Sequence, residues 1–174
     1  VLDREVVVDV AVAGIDPAKD LRLDYALPYP EAAAALAAGK IACAILPEPF
    51  STMARAANPS LRSPIDIGAL WTKSTGQAGY PMTALVVSSR AAAERPEAVA
   101  AVLKACESSI GKVVANPAEA AALVEKHDLG LKAAVAAKAI PRSAYTYAGA
   151  REARPSIEAL LGVFLETAPA SVGG

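Results

Sequence analysis

The chain has 174 residues, 54% of them hydrophobic, 20% charged and 5% aromatic, with a formal net charge of −1 at pH 7. That balance excludes a disordered polypeptide. Without a basic cluster it also argues against a surface that reads nucleic acid or an anionic membrane. No apolar run approaches the ~20 residues that span a bilayer. The length allows one domain or two small ones.

Residues 1–13 are rich in Val, and Val6, Val10 and Ala13 recur at helical spacing beside Leu2. With Gly14 following as a C-cap, a helix is predicted there despite the β-branched content. Asp16-Pro17 marks a turn, and the alternation of Leu21, Leu23 and Tyr25 predicts a strand over 21–26. Leu27-Pro28-Tyr29-Pro30 reads as a stiff loop before an Ala-rich helix over 31–38, stopped by Gly39.

The next stretch, GKIACAILPEPFSTM over 39–53, organises the rest. Ile41, Cys43, Ile45 and Leu46 alternate with small alanines, a pattern that suits a strand buried on both faces of a parallel sheet. Pro47-Glu48-Pro49 then leads into a helix over 50–57. A loop between strand and helix lies at the carboxyl edge of an open α/β sheet, where ligands bind. Glu48 is the one charged group at that edge.

Residues 61–67 are predicted as a strand made irregular by Pro64. Residues 68–79, which hold the single tryptophan Trp71, are predicted as a loop with at most one helical turn. Residues 83–88 form another apolar strand. Beyond it Pro96 opens a helix with a stripe of Val99, Val102, Leu103, Cys106, Ile110 and Val113. Asn116 caps a helix over 117–126, another covers 131–139, and residues 140–147 read as a loop or short extended piece. A last amphipathic helix covers 155–166. Cys43 and Cys106 are expected as two buried free thiols, a disulfide being less favoured because their spacing matches no framework.

Glu48 reads either as an acceptor for a cationic or amide-bearing ligand or as an anchor for the following helix N-terminus. Pro49 and Phe50 frame the same loop, Phe50 alternatively stapling its helix. Tyr80 and Thr83 stand at the mouth of a crossing strand, with hinge packing as the other reading of Tyr80. Tyr29 precedes a helix N-terminus, a position that faces anions, with ordinary loop packing as the favoured reading, and Arg142 with Ser143 offers a hold for an anionic group, Arg142 reading equally as a solvated turn residue. The single histidine, His127, reads as a surface cap at a helix end, and Trp71 as a packing residue beneath the crossing loop, with a role in the cleft as its other reading. With one histidine and no phosphate loop, no catalytic constellation can be assembled. Neither enzymatic activity nor a cofactor nor a metal is expected.

Only about four strands are legible, where a doubly wound sheet normally has about five or six. The runs AALAAGKIACAILPEPFSTMA, GYPMTALVVSSRAAAERPEAVAAVLKA, NPAEAAALVEKHDLGL, AIPRSAYTYAGAREARPSIEALL and PASVGG resemble the solute-binding components of ABC importers. The group resembled includes the nitrate, sulfonate/taurine and thiamine-precursor binding proteins. The resemblance implies an α/β, two-lobed periplasmic-binding-protein-like fold that closes on a solute. Residues 1–67 would be most of lobe two, 68–81 the crossing hinge, and 82–174 the C-terminal half of lobe one. An N-terminal portion carrying the remaining strands and a secretion or lipoprotein signal is expected upstream. Cys43 departs from the pattern, which commonly has an acidic residue there.

The implied function is capture of a small anionic or heteroaromatic solute for an ABC permease and its ATPase, on the periplasmic or extracellular face of the membrane, by a monomer. Two alternatives share that fold. One is an enzyme resembling thiamine-pyrimidine synthases, although the histidine and cysteine-rich iron site of those enzymes find no match here. The other is the ligand-sensing domain of a transcription regulator.

Overall fold

The computed structural model describes residues 19–20 and 24–173. All regular structure among them is helical. Helix α1 (Tyr29–Ala37) begins with Pro30 in its first turn, where a missing N–H costs nothing, and Glu31 faces the positive end of the dipole. It stops at Gly39, whose φ of 70° is open to glycine at no steric cost. Helix α2 (Phe50–Ala57) pairs with α1 through Ala32, Ala33, Thr52 and Ala54, all buried. At its end Asn58 Nδ2 donates to the carbonyl of Ala37 over 3.1 Å, which ties the two helix ends together.

Helix α3 (Ile67–Thr75) is capped by Asp66, which accepts from the Ala69 N–H at 3.0 Å, and terminates on the left-handed Gly76. Helices α4 (Ser89–Glu94) and α5 (Pro96–Ala115) follow, then α6 (Pro117–Lys126), whose Asn116 cap accepts from the Glu119 N–H. Helix α7 (Ala133–Ala139) runs into a 3-10 turn (Ile140–Arg142). Helix α8 (Ala150–Thr167) carries Pro155 within it and is followed by a 3-10 turn (Pro169–Ser171). The contacts run from α1 to α2, from α2 to α7, from α7 to α6, and on through α5 to α4. Gln77, just beyond α3, accepts a hydrogen bond from Ser156 Oγ of α8 at 3.1 Å.

Among the described residues the buried apolar ones are Ala32, Ala33, Ala54, Trp71, Ala121, Ala136, Ala139 and Leu160. Six of these eight are alanine. Such a core brings helix backbones close together while removing little apolar area from water per residue.

The expected α/β architecture is not what the described residues adopt, for there is no strand among them. Residues 41–46 and 83–88 keep the predicted apolar composition but are irregular, and no backbone hydrogen bond joins 41–46 or 83–87 to another described residue. Residues 61–66 and 24–26 are irregular too, and Ile67 already belongs to α3. A strand exists only when a second backbone receives its N–H and C=O groups. Apolar alternation supplies only one side of that pairing. The two-lobed, periplasmic-binding-protein-like arrangement falls with its sheets. The segment 68–79, expected as a loop, is mostly α3: Asp66 and Gly76 supply start and stop signals around a helix-length interval. Cys43 is exposed and Cys106 half-exposed, both free, so neither thiol is buried as expected. The predicted helix over 1–13, the turn at Asp16-Pro17 and the start of the strand over 21–26 lie outside the described residues.

Candidate functional site

The Pro47–Phe50 loop is built by its prolines. The Glu48–Pro49 peptide is cis, and Pro49, as the N-cap of α2, has no side chain with which to cap it. Glu48 does so instead, its Oε2 accepting from the Thr52 N–H at 3.1 Å. A carboxylate at a helix N-terminus is stabilised by the free N–H groups and by the dipole. Oε1 of Glu48 has no hydrogen-bond partner among the described residues. Glu48 is therefore an anchor with one acceptor to spare.

Phe50 stacks on Tyr29, ring centroids 5.8 Å apart and planes inclined by 25°. Tyr29 opens α1 and Phe50 opens α2, so the stacked rings bring two helix N-termini side by side. Glu31 lies in the first turn of α1 and Glu48 caps α2, and both carry negative charge at positive helix ends. The result is a half-buried aromatic step next in sequence to the loop that carries Glu48, and an aromatic face of this kind suits a flat ligand.

The structure thus brings Tyr29, Glu48, Pro49 and Phe50 together. The other predicted residues go elsewhere. Tyr80 meets Trp71 edge to face at a centroid distance of 5.4 Å, and Trp71 is only 2% exposed, so Tyr80 packs against the buried side chain of α3. Thr83 lies in an exposed irregular segment. Arg142 is exposed in the 3-10 turn, and Ser143 Oγ donates to the Ala139 carbonyl at 2.9 Å, closing the end of α7. His127 is the exposed C-cap of α6, in agreement with its reading as a cap.

Two features escaped sequence reasoning. An open groove of about 370 Å³ runs between α5 and the segment after the 3-10 turn, lined by Glu107, Ile110, Val114, Tyr145 and Tyr147 among others. The Tyr145-Thr146-Tyr147 pair was its only sequence signal. The second feature is Glu125, near the end of α6. It accepts from the Ala133 N–H at 2.8 Å and pairs with Lys132 at 3.1 Å, capping α7 across the intervening loop. The Ala133 N–H first, and Lys132 after it, hold this carboxyl below its ordinary value of 4.5. Among the described residues no helix is long and apolar enough to cross a membrane, and no cluster of His, Cys, Asp and Glu could hold a metal.

The model of one protein family, the NMT1-like family, matches residues 7–127, well over half of the chain. No curated protein and no solved structure matches significantly. The chain belongs to the NMT1-like family. The resemblance to ABC-importer solute receptors is corrected here: the bilobed α/β architecture it implies is absent from the described helical structure. With that architecture go the transport-receptor function, its hinge closure, and both alternatives that needed the same fold.

Proposed function

We propose that this member of the NMT1-like family is a non-catalytic binding protein for a small, flat, nitrogen-bearing heterocycle, held at the Tyr29–Phe50 step. The single observation that carries this reading is the stack of Phe50 on Tyr29, with Glu48 two residues before Phe50 in the same loop. Oε2 fixes the carboxylate to the start of α2, so Oε1 is pre-oriented to accept from a ring N–H or amide of the ligand. The two carboxylates, Glu31 and Glu48, make the locus unfavourable for an anion despite the two helix N-termini. Ligand faces that stack on Phe50 or Tyr29 gain apolar burial without a deep cavity, which fits weak binding.

The test is titration of the chain with aminopyrimidines and, as controls, a saturated ring of equal size and an inorganic anion, followed by ligand-observed NMR. The expected outcome is binding of the aminopyrimidine alone, weakened at least tenfold by Phe50→Ala and by Glu48→Gln. Gln keeps a cap acceptor and removes the charge, so α2 persists and the far-ultraviolet circular dichroism stays unchanged. Equal binding of the saturated ring, or binding indifferent to Phe50→Ala, would defeat the proposal.

A further inference from the structure

The groove between α5 and residues 145–147 has a volume of about 370 Å³, within the ~300–1,000 Å³ of small-molecule sites, and it does not end at Tyr145. A second hollow of about 250 Å³ shares Val114 and Tyr145 with it and continues among Pro117, Ile140 and Pro141. The two differ in chemistry. The first carries the Glu107 carboxylate and the rings of Tyr145 and Tyr147, whereas every side chain of the second except Tyr145 is apolar. Glu107 is the one charged side chain in either lining, and no described residue gives it a hydrogen bond or an ion pair. Ala144, just before the tyrosine that both hollows share, holds φ at 48°. Glycine takes that left-handed conformation freely and alanine only at a cost, and residues held so are common at ligand clamps.

We infer that this double hollow is a second binding site, for an organic ammonium ion that carries a short apolar chain. The head lies at Glu107 and the tyrosine rings, and the chain occupies the hollow beyond Tyr145. Charge decides the class. A carboxylate with no cationic side chain in the lining repels an anion and attracts a cation, and the negative faces of the tyrosine rings attract it too. The apolar hollow decides the rest: a bare cation leaves it empty, and a neutral apolar molecule gains nothing from Glu107. Glu107 and Tyr145 are exposed, so the affinity is low. The site stands on α5 and the segment after α7, apart from α1 and α2, and a flexible saturated chain is no ligand for the Tyr29–Phe50 step. The inference therefore does not rest on the proposed function.

The experiment is titration of the whole chain with hexyltrimethylammonium, followed by ligand-observed NMR, with hexanoate and tetramethylammonium as comparisons. The expected result is saturable binding of the chain-bearing cation, with both comparison ions weaker by about threefold or more. Glu107→Gln removes the charge at an exposed helical position and lowers the affinity for the cation about threefold. Glu97→Gln, at an exposed carboxylate of the same helix outside the groove, leaves it unchanged. Gly111 lines the groove, and a Cβ there would meet nothing within 4 Å. Gly111→Leu therefore fills the groove from a helical position that favours leucine over glycine, keeps the helical circular dichroism and abolishes binding. Should the larger side chain disturb the helices, Glu107→Gln against Glu97→Gln decides alone. No binding of hexyltrimethylammonium overturns the inference, and so does equal binding of hexanoate or of tetramethylammonium. Binding indifferent to Glu107→Gln, or to a folded Gly111→Leu, overturns it as well, because the cation would then adhere elsewhere on the chain. An equal loss in Glu97→Gln does the same.

Discussion

Single carboxylates do much of the joining in this chain. Glu48 and Glu125 each lend an oxygen to the first turn of a helix that has no side-chain cap of its own, α2 and α7. For Glu125 the consequence is measurable. Its carboxyl is held low in the folded chain by the Ala133 N–H and Lys132, so the folded value lies below the unfolded one. The stabilisation it gives is complete above the ordinary glutamate range and fades as pH falls through the lower, folded value. Melting the wild type and Glu125→Gln across an acidic pH series should show the two curves converging toward low pH. Parallel curves would show that the cap contributes nothing. Because Glu125 is solvent-exposed, the difference is small.

At the scale of elements, much of what was legible is helix, and the reason is physical. Residues 50–57 and 117–126 were readable to their ends because their start and stop signals are local: a proline at the first turn, an Asn116 cap, the Asn58-Pro59 stop. Replacing Asn116 with Ala should destabilise the chain by about 1 kcal/mol. Chemical denaturation that finds no loss would remove Asn116 from that role. Helix α3 was missed although its Asp66 and Gly76 signals were present, because Trp71 and the polar Ser74-Thr75 masked the period. The strands at 41–46 and 83–88 were misread for a deeper reason. A helix pairs its backbone with itself, within four residues, but a strand depends on a distant segment about which its own residues say nothing. The candidate site shows the same division: Glu48 caps the Thr52 N–H one helical turn away, a role its own sequence neighbours suggest, whereas the stacking of Phe50 on Tyr29 joins two helices and has no local signal. Tyr80 against Trp71 and Arg142 in its 3-10 turn are placed by packing that their neighbours in the sequence do not spell out.

At the scale of the whole molecule, the described helices bury few large side chains. Helix α5 spans 20 residues, roughly 30 Å, without a single buried one, and Val102 and Leu103 of its apolar stripe are exposed. Such a surface should bind a hydrophobic dye at ambient temperature, and heating should give a broad transition from a high fluorescence baseline. A sharp cooperative melt from a dark baseline would contradict the exposure described.

The alanine core sets the direction of mutational intolerance. Where Ala32, Ala33, Ala54, Ala121, Ala136 and Ala139 let helices approach, there is almost no side chain left to trim, and harm comes from enlargement, each added methylene group forcing neighbouring backbones apart. The sites most restrictive to replacement in this chain are therefore those bearing its smallest chiral residue, and a bulky intruder at any of them is worse than the removal of many a larger group.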